Sequence, residues 1–176
     1  MDDFLEEAIS RRTNKGLYML LYLLVWLFIV FFAGMALFCF FWVTYAFSIL
    51  PLLGLLIAGG LTYFLFIYKD MLRTEYEYTL TNGEMDFAKV MGNSRRKQLL
   101  TLRLIEVEAG APVSSASFAR YEQMAGIKKL DYTINSDADK YFLYYVQSGN
   151  KTLLILEPSK KMLELMFKYS RLLERA

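Results

Sequence analysis

Histidine is absent from all 176 residues, and cysteine occurs once, as Cys39. The first absence removes imidazole general bases, histidine metal ligands and Ser-His or Cys-His nucleophile pairs. The second excludes an intrachain disulfide and any multi-cysteine metal site. No Gly-x-Gly-x-x-Gly sequence and no Walker phosphate loop is present. Charge of either sign is missing from Gly16 to Tyr68. Elsewhere charge is ordinary: the chain carries a net +2, and residues 69–176 hold 17 Lys and Arg against 14 Asp and Glu. A nucleic-acid binder is more basic and more clustered, so no nucleic-acid partner is expected.

The apolar content, 56%, exceeds the roughly 45–50% usual for soluble domains. The excess sits in Leu17–Tyr68, a charge-free run of 52 residues. A bilayer core about 30 Å thick takes roughly 20 helical residues, so the run is too long for one span and right for two. Thr44, Ser48 and Pro51 interrupt it, which predicts helices at about 17–43 and 48–68 joined as a hairpin. Paired helices of a soluble bundle would carry a polar face, and these have none. A cleaved signal peptide is not expected, given the length of the run and Asp2, Asp3, Glu6 and Glu7 ahead of it.

Arg11, Arg12 and Lys15 precede the hairpin, Lys69 and Arg73 follow it, and its connection is uncharged. Both termini are therefore expected in the cytoplasm, with the protein a multi-pass component of the plasma membrane. Trp42, Tyr45 and Tyr68, with Arg11, Arg12 and Lys69, are the expected interface anchors. Gly54-x3-Ala58 is the nearest approach to a small-residue helix contact. Residues 1–16 read as a cytoplasmic amphipathic helix. Asp2 or Asp3 caps it, Phe4, Leu5, Ala8 and Ile9 form one face, and Gly16 ends it. It either lies on the inner leaflet or forms a solvated tail whose charges set orientation.

From Lys69 to Ala176 the pattern is that of a folded domain. Glu75–Thr81 alternates with period two, and Asn82-Gly83 is a strong hairpin turn before Glu84–Met91. A turn at Gly92-Asn93-Ser94 leads to Arg95–Val107, a long strand expected to break near Arg103–Ile105. Gly110–Gly126 reads as loop. Lys128–Ile134, Lys140–Gln147 and Lys151–Glu157 read as strands, the last two joined at Ser148-Gly149-Asn150. Pro158 opens a helix with an apolar stripe of Met162, Leu165, Met166, Tyr169, Leu172 and Leu173. The expected fold is a membrane α-helical hairpin plus an α+β domain. That domain is a partly open, six- or seven-stranded antiparallel barrel capped by the C-terminal helix.

Three segments carry a family resemblance: Tyr78–Asp86 around Asn82-Gly83, the basic turn Ser94-Arg95-Arg96-Lys97, and Leu156–Met162 entering the last helix. In these the chain resembles a bacterial two-helix membrane protein family with a C-terminal pleckstrin-homology-like (PH-like) domain. The resemblance covers nearly the whole chain. It implies strand order and carries no catalytic motif, so it speaks to fold more than to function.

The candidate contact residues are basic. Arg95, Arg96 and Lys97 lie in a turn of a domain tied close to the inner leaflet. Anionic lipid attracts such residues by about 1 kcal/mol each. By the PH resemblance this turn would touch a phospholipid headgroup; read alone, it keeps an exposed turn soluble. Lys128 and Lys129 form a second, weaker patch. Tyr132, Tyr141, Tyr144 and Tyr145 fill the barrel or line a pocket. Asp137 and Asp139 lack the spacing of a calcium loop. Glu75 and Glu77 fit a strand rim, and Ser114, Ser115 and Ser117 have no histidine to activate them. No catalytic residue, metal or cofactor is expected. The expected function is a membrane-anchored, non-catalytic binding or scaffold module. It would have the bilayer, a protein partner and anionic phospholipid as contacts. The alternatives are an accessory or regulatory subunit of a membrane transporter or envelope enzyme, and a ligand-sensing domain or enzyme.

Overall fold

The computed structural model describes residues 3–12, 15–92 and 95–174. Strand β1 (Phe4–Ile9) comes first, then two long helices, α1 (Lys15–Tyr45) and α2 (Ile49–Met71). Strands β2 (Thr74–Thr81), β3 (Glu84–Met91) and β4 (Arg95–Arg103) follow. A 3-10 turn at Leu104–Glu106 leads into β5 (Val107–Pro112), then helix α3 (Ala116–Glu122) and β6 (Lys128–Asp131). Strands β7 (Tyr141–Gln147) and β8 (Asn150–Leu156) and helix α4 (Lys160–Tyr169) complete the order. The described residues fall into two compact units. One lies within 1–13, 75–90 and 96–176, the other within 14–74 and 91–95.

The N-terminal segment corrects the sequence reading. Phe4–Ile9 is a strand and not a helix, paired antiparallel with β2 from Phe4↔Thr81 to Ile9↔Tyr76. Six residues with Glu6-Glu7 at the centre satisfy either period, and tertiary pairing decides. Leu5, Glu7 and Ile9 take the less exposed face. Asp2, the alternative cap, lies outside the described residues. The β domain therefore does not begin at residue 69. Its first strand precedes the helices, and the helical hairpin is inserted between two neighbouring strands.

Two four-stranded sheets form the β unit, in the orders β1-β2-β3-β4 and β5-β7-β8-β6. They do not close into a barrel. The expected break of the long Arg95–Val107 stretch occurs at Leu104–Glu106, and β1 joins from upstream, so the described residues form eight strands where six or seven were expected. The expected loop at 110–126 contains the end of β5 and the short helix α3. Strand β6 departs from the antiparallel expectation: it runs parallel to β8, Lys128↔Thr152 to Asp131↔Ile155. The core lies between the sheets. Tyr78, Leu80, Met85 and Phe87 come from the first; Leu143, Leu154 and Leu156 come from the second. Helix α4 adds Met162 and Met166, each buried and each contributing about 2 kcal/mol of apolar burial. Ser159 Oγ caps α4 by accepting from Met162 N at 3.1 Å. Asn82 (φ 49°) and Gly83 (φ 88°) take the left-handed turn expected of them. A Cβ on Gly83 would also stand 2.6 Å from the Tyr169 ring, so glycine is required twice over.

The helical unit is built from the uncharged run. Both helices are long and apolar enough to cross a membrane. Pro51 sits in the first turn of α2, where its missing N–H costs nothing. Ile29 and Ala58 are the only buried residues of the two helices. Gly54 faces Cys39, and a Cβ there would meet its Sγ at 3.0 Å. So Gly54 and Ala58 lie where α1 and α2 approach, while Gly59 and Gly60 have nothing within 4 Å.

Candidate functional site

The predicted basic turn is partly a strand. Arg95, Arg96 and Lys97 open β4 and are exposed, while Asn93 and Ser94 lie outside the described residues. Arg96 Nε reaches Glu77 Oε2 at 2.8 Å, spending one of the three cations on an internal pair. Arg95 and Lys97 form no ion pair among the described residues.

Lys128 and Lys129 do not form one patch, because strand alternation sends them to opposite faces. Lys129 meets Glu122 of α3 at 3.5 Å on the outer face. Lys128 pairs in register with Thr152, which pairs with Tyr145, so the three share the inner face. The tyrosines divide likewise. Tyr132, Tyr141 and Tyr145 belong to the main core. Tyr144 lies on the outer face, 4.7 Å from the Tyr121 ring. Burial pushes the Tyr78 and Tyr141 hydroxyls well above the ordinary phenol value, so both are neutral donors in the folded protein.

Sequence reasoning missed the most elaborate polar cluster. Glu157 and Asn135 are both buried. The Glu157 carboxylate accepts from Ile134 N (3.1 Å), Asn135 N (3.3 Å) and Asn135 Nδ2 (3.1 Å). Asn135 Nδ2 also donates to Ser10 O (3.1 Å), and its Oδ1 accepts from Arg12 N (2.7 Å). Tyr78 Oη donates to Tyr132 O (2.6 Å) and accepts from Glu157 N (3.4 Å). Together these groups clamp the chain as it leaves β1. Two further ties hold β1 to α4: Ser159 N to Glu7 Oε1 (3.0 Å), and Tyr169 Oη to Asp3 Oδ2 (3.0 Å). The only sequence signal was an acidic residue ending an apolar strand, Leu153–Leu156. This cluster is a structural clamp: each polar atom is satisfied by the chain itself. Among the described residues, no group of three or more His, Cys, Asp or Glu converges to hold a metal ion.

The proposed anchors occupy the ends of the helices. Trp42 and Tyr45 stand exposed beside the connection, and Tyr68 stacks on Phe64 near the other end. Lys69 pairs with Asp70 at 2.7 Å, with its ammonium 4.3 Å from the Phe66 ring and 5.7 Å from the Trp26 ring. Arg73 lies 4.1 Å from the Tyr22 ring. Arg11 and Arg12 follow β1, and the backbone of Arg12 is the one held by Asn135.

A β unit of two unclosed sheets with a C-terminal helix, interrupted by a pair of apolar helices, defines a PH-like protein with a built-in helical hairpin. The chain belongs to the Bacterial PH-like domain (DUF6106) family, whose model matches residues 1–172. The match begins upstream of the helices, as it must if β1 is a strand of the same domain. No curated protein and no solved structure matches the chain.

Proposed function

We propose that this protein is a membrane-anchored, non-catalytic binding module that displays its PH-like domain at the cytoplasmic face. One observation carries the reading. The helices that leave and re-enter neighbouring strands expose most of their large apolar side chains, with Phe41 67% and Leu50 80% exposed, and Phe47 of their connection is 80% exposed. In water such surface is untenable; in a bilayer it is the natural state. Dimensions agree: Trp26 to Tyr45 and Ile49 to Tyr68 are each 19 steps, about 28 Å of helix. Because Ile9 pairs with Tyr76, both outer ends of the hairpin belong on one side of the bilayer. The lysine and arginine bias assigns that side to the cytoplasm. Arg95 and Lys97 then offer anionic phospholipid about 1 kcal/mol each, an adjunct to an anchor that needs none. A protein partner is the main cargo of such a module.

Single-cysteine labelling tests the topology. In a Cys39→Ser background, a cysteine at Ser48 is expected to react with an impermeant maleimide on intact cells. A cysteine at Ser136 is expected to react only after lysis. The reverse pattern would overturn the orientation, and labelling of neither from either side would overturn the hairpin's connection.

A second reading, an accessory subunit packed against a larger membrane protein, is favoured by a groove of about 720 Å³ along the helices. Ala33, Ala36, Gly59 and Thr62 are among its lining residues. Stoichiometric co-purification in mild detergent separates it from the first.

A further inference from the structure

The inner face of the second sheet changes character one row from its end. Leu143, Leu154 and Leu130 form an apolar row across β7, β8 and β6. The next row is Tyr145, Thr152 and Lys128, and the row beyond it is Gln147 and Asn150 at the β7–β8 turn. A closed barrel would fill these positions with apolar side chains. Here the sheets stay open, since β4 ends one sheet and β6 ends the other. A cleft of about 470 Å³ occupies that seam, walled on the β4 side by Leu99 and Leu100. Its volume lies in the range of small-molecule sites, roughly 300–1,000 Å³.

The charge of the cleft is one-sided. Lys128 lines it from the inner face, Lys151 pairs with Val146 of the outer face and reaches only its edge, no carboxylate lines it, and neither lysine forms an ion pair among the described residues. The amides of Gln147 and Asn150 and the hydroxyl of Ser148 add donors, while the buried Thr152 hydroxyl hydrogen-bonds Tyr145. Tyr132 and Tyr145 complete the wall, and burial raises both phenols, so both stay protonated at neutral pH. The neighbouring basic residue, Lys129, is already matched by Glu122 on the far face.

We infer that this cleft binds a small oxyanion-bearing ligand, with Lys128 as the principal counter-charge and Lys151 at the rim. The leucine wall favours a ligand with an apolar portion beside its phosphate or carboxylate. The cleft lies wholly within the β unit, so this inference goes beyond the anchored-module reading and stands or falls separately from it.

The test uses the full chain and two probes. In neutral detergent at constant ionic strength, sodium pyrophosphate reports a free-anion source. In phosphatidylcholine vesicles with or without phosphatidylglycerol, the same readout reports a headgroup source. A saturable rise in thermal midpoint is expected with at least one probe. Lys128→Gln should weaken the effective concentration about tenfold, the loss of one charge-assisted contact. Lys129→Gln, on the opposite face, should leave it unchanged. Lys128 is exposed, so its variant should keep the ligand-free midpoint of the wild type. No saturable shift with either probe, or an equal shift in wild type and Lys128→Gln, would overturn the assignment.

Discussion

Glu157 shows what a single buried carboxylate can organise. It accepts three N–H groups from Ile134 and Asn135, and through Asn135 it fixes the backbone at Ser10 and Arg12. Glu157→Ala strands those donors in a dry site and should cost about 3 kcal/mol or more in urea unfolding. Glu157→Gln, which keeps an acceptor, should cost less. A loss below about 1 kcal/mol for the alanine variant would contradict the clamp. Asp3 supplies a pH-dependent tie. The Tyr169 hydroxyl, and after it Lys168 at 3.4 Å, holds its carboxyl below the ordinary value. A lowered folded pKa stabilises above the unfolded value of 3.8 and loses that contribution as pH falls through the folded one. Below about pH 4 the thermal midpoint should therefore fall faster in wild type than in Asp3→Asn.

Among the elements, those set by local chemistry could be read from the residues. Asn82-Gly83 and Ser148-Gly149 announce their turns because those positions take positive φ, and they do. The α4 stripe holds from Met162 to Tyr169 because an amphipathic helix needs only its own spacing, but the helix ends there, Leu172 is exposed and Leu173 bridges Gly110. Elements set by distant pairing could not be read. The alternation Leu5, Glu7, Ile9 becomes a strand only because Tyr76–Thr81 lies beside it, some seventy residues on. The clamp was hidden for the same reason, since nothing near Glu157 in sequence names Asn135 or Ser10. Alternation was visible at Lys128-Lys129, yet its consequence, one lysine inside and one outside, required knowing which face was the core. The helices make a sharper test. Gly54→Leu must displace Cys39 and should loosen the hairpin, lowering the thermal midpoint in detergent. Gly60→Ala meets open space and should be neutral or raise the midpoint slightly, through helix propensity of about 1 kcal/mol. Equal effects of the two would contradict the assigned contact face.

At the scale of the whole molecule, the insertion of the hairpin between β1 and β2 governs folding and topology together. A fragment starting at Lys69 lacks β1 and leaves the β2 edge, the Asn135 amide and the α4 ties unpaired. Such an edge invites aggregation. Joining Arg12 to Thr74 through a short Gly-Ser linker keeps every strand and removes the apolar helices. The direct measurement is a three-way comparison of solubility and cooperative unfolding without detergent. The full chain should need detergent, the 69–176 fragment should be unstable or aggregate, and the linked chain should be a soluble domain with one unfolding transition. A full chain that stays a folded monomer in water, or a 69–176 fragment as stable as the linked chain, would contradict the account.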